Sequence, residues 1–403
     1  MISRIYFSIL GIILILPISV DGISANYLYA LLPVLQLPLC AHFSCIRFRV
    51  ISYALALLWV FGGILSISLI LAFVHSENPE LIAIGSFFFF VTYIYPLILK
   101  ITTKALDSLI LGVVIFSLFY SLNSIFAYLL GGVYSSEAKD LVGSQRVGFV
   151  INFALFYLLS ARINPTLKRF PMSKMGSLYC SLMMTILAIG SLLTFSRASL
   201  ISLIVTILFA LLFYSRVIFK NLLIFNPKYL LLSLASALLL LALCLFQPFD
   251  SLMTFYGERL FSGYLGDPDA LASDLSNESS SGGTRLSIFK YVFQLLLSNP
   301  FLGNSFNGIS RVTSFGSLHN QYVDILVRAG LILGTMVIIT LLVIFLRSMR
   351  APAGSYQRIT LLPFVATIVY GFFHETFRES QGAVLYLIFV QSYFMPFSAP
   401  NNS

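Results

Sequence analysis

The chain has 403 residues, 59% of them hydrophobic and only 10% charged, and its mean hydropathy is +0.95. Soluble globular domains carry roughly 25% charged residues, so this balance excludes a string of soluble domains and indicates one polytopic membrane bundle. The formal charge of +9 would by itself invite a nucleic-acid partner, but its distribution along the chain has a simpler cause.

A membrane-spanning helix needs about 20 predominantly apolar residues. In chain order, apolar runs of that kind fall near 5–20, 25–42, 50–74, 81–99, 107–130, 147–161, 176–195, 199–214, 229–247, 320–345, 359–373 and 381–396. The expected fold class is therefore all-α, a polytopic bundle of about 12 transmembrane helices. Residues 1–247 would hold spans one to nine, 248–319 a large outer loop, and 320–403 spans ten to twelve. One basic residue precedes the first run and no small-residue cleavage site comes after it, so it reads as a retained helix and not a removed signal.

Twelve spans put both termini on one side, and the basic residues say which. Loops on the N-terminal side hold 15 of the 24 Lys and Arg residues against a single acid, Asp107. The two sides then carry +14 and −5, which orients both termini toward the cytoplasm and accounts for the net charge without nucleic acid. Cys40, Cys45, Cys180 and Cys244 sit in or beside apolar runs with no CxxC spacing, so they form neither a disulfide framework nor a zinc site.

The outer side is the informative one. Within its long loop, GDPDALASDLSNESSSGG is acidic and rich in Ser and Gly, a composition that favours mobility. The next segment, TRLSIFKYVFQLLLSNP, interleaves apolar residues with Arg285, Lys290 and Gln294 and predicts an amphipathic helix over about 284–298. Asn299-Pro300 ends it, and LGNSFNG continues as a turn-rich loop.

Four polar features stand at this outer face. SRAS at 196–199 forms a tight turn that leaves Arg197 at the membrane surface, either as a snorkelling anchor or as part of a site. GSQRVGF at 143–149 puts Arg146 at the outer start of span six, where an interfacial anchor is the competing reading. Arg285 opens the amphipathic helix, and a basic residue there opposes the helix dipole. The fourth is SLHNQYVDILVRAG at 317–330, where His319, Asn320 and Tyr322 precede Asp324 and Arg328. The last two are spaced i,i+4, so they can pair on one helical face and lower the cost of charge inside a membrane. Arginines suit phosphate oxygens, and a histidine can take a proton from a hydroxyl at neutral pH. No DxD-type cluster, HExxH or P-loop is present, so neither a metal nor a nucleotide cofactor is expected. The combination suits a substrate with a lipid tail, a phosphate or diphosphate, and a hydroxyl acceptor.

SRAS in an outer turn, TR opening an amphipathic helix, then NPFLGNSFNG and HNQYVDILVRAGLILG, in that order, resemble the O-antigen ligase/polymerase superfamily. The resemblance covers about residues 143–345 and is most specific from 284 to 334; the N-terminal third shares only its apolar, helical character. It implies an integral-membrane glycosyltransferase of the GT-C type, facing the periplasm from the bacterial inner membrane and serving lipopolysaccharide biosynthesis. Arg197 and Arg285 would hold the undecaprenyl diphosphate, His319 would be the catalytic base, and Arg146 would line the donor or glycan pocket. Apart from the resemblance, the place of Asn320 and Tyr322 beside His319 makes them candidate substrate contacts. Transfer would be inverting and independent of any metal. The implied partners are undecaprenyl-diphosphate-linked O-antigen repeat units, membrane lipids and a chain-length regulator protein.

Ligases and polymerases share these motifs. The GSQR loop, the 38 Phe and 21 Tyr residues, and the idiosyncratic N-terminal third favour a polymerase of the Wzy type, with an O-antigen ligase as the alternative. A lipid-linked oligosaccharide flippase is the remaining alternative from another class. Against it, the two halves show no repeat, and the ionisable groups gather at the outer interface and not at mid-membrane.

Overall fold

The computed structural model describes residues 19–20, 23–24, 46–48, 52–75, 78–129, 148–163, 177–194, 196–223, 281–307, 320–374, 376–378 and 380–396. The runs expected near 25–42 and 229–247, and nearly all of 5–20, lie outside them, as do Arg146 and His319.

Within these bounds the chain is an all-α polytopic membrane protein. Helix α1 spans Ser52–Val74. Helix α2 (Pro79–Phe89) continues through a π turn, Phe90–Ile94, into the short α3 (Tyr95–Ile98). Then come α4 (Thr103–Leu129), α5 (Gly148–Ile163), α6 (Ser177–Leu192) and α7 (Arg197–Leu223). After them stand α8 (Ser281–Ser298), α9 (Gln321–Arg350), α10 (Tyr356–Ile359), α11 (Leu361–Gly371) and α12 (Ser380–Phe394), with a 3₁₀ turn at Thr376–Arg378 before α12. Five segments among the described residues are long and apolar enough to cross a membrane: Ser52–Val74, Pro79–Ile98, Thr103–Phe126, Ala198–Ser215 and Gln321–Arg350. Each coincides with an expected run. Two small antiparallel ribbons are additions the helical pattern does not announce: β1 (Ser19–Val20) with β2 (Ile23–Ser24), and β3 (Ile46–Phe48) with β4 (Leu99–Ile101).

Local chemistry explains the helix boundaries. Asn78 caps α2 by accepting from the Glu80 amide at 3.0 Å, with Pro79 at the first position and an acid in the first turn. α1 buries Ala54, Leu57, Phe61, Ile64, Ser68 and Ala72, a stripe of helical period, while Trp59, Ile70 and Phe73 are largely exposed. In water such an apolar face would drive aggregation; against lipid tails it is matched to its solvent.

The chain divides into two compact units. The first comprises Met1–Leu109, Leu271–Arg347 and Gly371–Met395. Its centre is α12, where every residue from Val384 to Val390 is buried. Gln391 extends that packing: its Nε2 donates to the carbonyls of Pro96 (2.8 Å) and Leu99 (2.9 Å), and its Oε1 accepts from the Ile101 amide at 3.3 Å. The second unit comprises Ile110–Ala270, Ser348–Tyr370 and Pro396–Ser403. At its core is α5, with Phe149, Phe153, Phe156 and Tyr157 fully buried.

The feature that positions everything at the start of α9 is a break within that helix. Gly330 has φ 73° and ψ 175°, a conformation open essentially only to glycine. In a continuous helix the Val327 and Arg328 carbonyls would accept from Leu331 and Ile332. Here the loop after α8 takes their place. Asn304 N–H donates to Val327 O at 2.6 Å, Phe306 N–H to Arg328 O at 2.8 Å, and Leu331 N–H turns instead to Pro300 O at 2.7 Å. The loop reaches this position through three left-handed residues, Gly303 (φ 56°), Ser305 (φ 47°) and Phe306 (φ 66°). Phe306 anchors it, fully buried between Phe61 (centroids 5.3 Å) and Phe89 (5.5 Å), with its carbonyl so close to Gly85 that a Cβ there would stand 2.6 Å away.

At Gly330 any Cβ would collide with the Phe301 carbonyl as well as force the backbone. Gly330→Ala is expected to cost at least about 2 kcal/mol in reversible unfolding from mixed micelles. Gly63→Ala on α1, where a Cβ meets nothing within 4 Å, should leave stability unchanged or raised by up to about 1 kcal/mol.

Candidate functional site

The break makes Gln321–Ala329 a short half-helix, and most polar residues of the SLHNQYVDILVRAG stretch stand on it or at its cap. Asn320 is that cap: Oδ1 accepts from the amides of Tyr322 (3.0 Å) and Val323 (3.1 Å), and Nδ2 donates to Phe372 O at 3.3 Å. Both ends of the Asn320 side chain are thus engaged in fixing where the half-helix starts. Gln321 is completely buried; its Nε2 donates to Tyr93 Oη at 2.6 Å, and its Oε1 accepts from the Phe377 amide at 2.5 Å. It clamps the half-helix to the π turn after α2 on one side and to the 3₁₀ turn on the other. Tyr386 completes the clamp, donating to Tyr93 O at 3.4 Å and stacking edge-on against both Tyr93 and Phe377. Tyr322 lays its ring on Phe372, centroids 4.6 Å apart.

Asp324 and Arg328 form the pair that their spacing allows. The guanidinium Nε lies 2.9 and 2.8 Å from the two carboxylate oxygens, and Nη1 donates to Phe306 O at 3.4 Å. Asp324 is buried and Arg328 nearly so. The pair therefore joins the half-helix to the loop that caps its broken end, and the loop's Phe306 uses both its N–H and its carbonyl on the same arginine residue.

Helix α8 meets this half-helix through a small apolar cluster. Its C-terminal end leads into Pro300, bonded at the break, while Ile288 and Val292 pack on Val327 together with Leu295, Leu296 and Val323. Arg285 lies on α8 one turn before Ile288. The outward-facing residues Phe289, Phe293 and Leu297 remain exposed.

In the second unit, Arg197 is the first residue of α7. Both serines of SRAS have structural tasks there. Ser196 Oγ accepts from the Ser199 amide at 3.3 Å as the helix cap and lies 3.3 Å from Tyr370 Oη. Ser199 joins a buried network centred on Asn152, whose Nδ2 donates to Ser199 O (3.0 Å), Ser199 Oγ (3.3 Å) and Ser202 Oγ (3.3 Å), while its Oδ1 accepts from Ser191 Oγ at 2.5 Å. Ser202 Oγ donates onward to Ala366 O at 2.7 Å. A buried network satisfied this fully ties α5, α6, α7 and α11 together and holds the start of α7 in a fixed place.

The structure therefore sets Asn320 and Tyr322 at the start of the half-helix and Arg285 in the first turns of α8, both in the first unit, and Arg197 at a helix start in the second. Gln321 and Asn152 are residues that motif reading passes over. Their signal is a lone amide in otherwise apolar surroundings, since a buried amide must find partners.

Residues 182–339 match a family model described as O-antigen ligase. The match runs from the middle of α6 to beyond the break in α9, so it contains Arg197, Arg285, His319, Asn320 and Tyr322 but not Arg146. It supports the O-antigen ligase/polymerase superfamily without separating its two activities. The N-terminal 181 residues lie outside it. No curated protein matches the chain.

The buried ion pair yields a stability prediction that separates structure from chemistry. Asp324→Leu should cost about 3–5 kcal/mol because it strands Arg328. The double variant Asp324→Leu/Arg328→Leu should recover most of that loss in the same unfolding measurement.

Proposed function

We propose that this protein is an O-antigen polymerase of the Wzy type, a membrane glycosyltransferase of the GT-C type in the bacterial inner membrane, with cytoplasmic termini and a periplasmic site. It would transfer an undecaprenyl-diphosphate-linked glycan onto another lipid-linked repeat unit in lipopolysaccharide biosynthesis. The match over 182–339 supports the membrane-glycosyltransferase part of this reading, and the GSQR loop and the abundant aromatic residues are what favour a polymerase within it. A reaction that joins two large lipid-linked substrates depends on holding them in register, so rigid mounting of the contact residues suits it.

In this reading Arg197 and Arg285 bind the diphosphate, and they stabilise it as it departs with additional negative charge. His319 takes the proton from the acceptor hydroxyl while that oxygen attacks the anomeric carbon from the face opposite the leaving group, which inverts the centre. His319 directly precedes Asn320 in the chain, and the Asn320 side chain is locked in the cap. Arg146 serves the donor or glycan pocket, and Tyr322 offers its edge to a sugar. No metal or other cofactor is required for these steps. A chain-length regulator protein is the proposed protein partner.

The second reading, an O-antigen ligase that moves the finished glycan onto lipid A-core, is favoured by the description of the matched family. Deleting the gene and resolving lipopolysaccharide on a gel distinguishes the possibilities. A single repeat unit on the core identifies a polymerase, no repeat unit identifies a ligase, and intracellular lipid-linked units identify a flippase. With expression held normal, His319→Ala should lower chain extension by about 10²–10⁴-fold. Arg197→Lys keeps the charge and loses the planar fork, so it too should collapse the ladder; full activity would reduce Arg197 to a membrane anchor.

A further inference from the structure

Far along α9 from the half-helix, the first unit contains a groove of about 230 Å³ that takes no part in the proposed transfer. It is walled by Tyr53 of α1, Leu97 of α3, Ile339, Thr340 and Val343 of α9, and Tyr393 of α12, among others. The Tyr53 and Thr340 hydroxyls are already satisfied: Tyr53 Oη donates to Met336 O at 2.6 Å and lies 3.1 Å from Thr340 Oγ1, which itself donates to Met336 O at 2.9 Å. The interior therefore asks for an apolar occupant. Ile339 and Val343 are each more than two-fifths exposed, so the groove opens sideways through the lipid-facing side of α9.

One end of the groove is charged. The Arg347 guanidinium stacks over the Tyr393 ring at 4.5 Å, two turns beyond Thr340 and roughly 10 Å along the axis. Leu97 leads within three residues to the exposed Lys100, and Lys104 comes next, also exposed. The loops of this side of the chain hold fifteen basic residues against one acid. An apolar slot ending in cations matches a molecule with a hydrocarbon chain and an anionic head.

We propose that this groove is a binding site for an anionic glycerophospholipid, with one acyl chain against Ile339, Thr340 and Val343 and the phosphate at Arg347. The lipid closes the gap among α1, α3, α9 and α12, and so supports the lower half of α9 independently of the half-helix that carries the candidate site.

The test is native mass spectrometry of the full-length protein, delipidated and then titrated with phosphatidylglycerol or with phosphatidylcholine of identical acyl chains. The wild type should retain phosphatidylglycerol in preference by roughly fivefold, the effect of one basic residue at a membrane surface. Arg347→Gln should bring the two lipids to parity, and Val343→Trp, which fills the groove, should remove both. Ile339→Phe is the milder filling variant if Val343→Trp fails to fold by circular dichroism. Equal retention of the two lipids by the wild type, binding undiminished in a folded filling variant, or a lipid-free dimer whose second copy occupies the groove would each overturn the proposal.

Discussion

In hydrocarbon a backbone amide or carbonyl has no water to turn to, so irregular chain is tolerated only where protein supplies the missing partners. The break at Gly330 is the place where this molecule meets that constraint. Two carbonyls and one amide leave the helical ladder, and the Asn299–Asn307 loop supplies all three. The loop can do so only by entering left-handed conformations at Ser305 and Phe306, which no side chain prefers. The cost is offset by burying the Phe306 ring between Phe61 and Phe89. Aromatic packing in one part of the unit thus sustains backbone geometry in another.

The polar residues near the half-helix form two groups with different tasks. Gln321, Asp324 and Arg328 are committed to neighbours within the protein, and their contacts are complete or nearly so. Tyr322 lays its ring on Phe372. Contacts of this kind are how fixed positions are obtained from a short helix only nine residues long. The same economy recurs around Asn152, where one amide organises serines from two neighbouring helices.

Much of this was legible in the amino-acid order. Span positions came from the length of apolar runs, because the membrane imposes a length that soluble folds lack. The Asp324–Arg328 contact came from i,i+4 spacing, because both residues lie on one continuous stretch of helix. The break had no such signal. Gly330 sits between Ala329 and Leu331, and glycines are common enough in spans that one more reads as a packing residue. Only the partner loop, distant by more than twenty residues, makes it a point of rupture. Asn320 shows the limit for function: a polar residue at a helix start can contact substrate or cap the helix, and here its side chain is occupied with capping. The positions of Arg146 and His319 fall outside the described residues, so for them the motif alone speaks.

The π turn at Phe90–Ile94 has a consequence for how this helix can vary. One residue more than a regular helix requires is accommodated there, which rotates the downstream segment by about 100°. Before the turn, Phe89 packs on Phe61 and Phe306; within it, Tyr93 stands against Phe89 (centroids 4.8 Å) and reaches Gln321 and Tyr386. Removing a single residue between Phe89 and Tyr95 would keep the composition of the segment while swinging the chain beyond it away from α12. Length, more than identity, is what this segment must conserve.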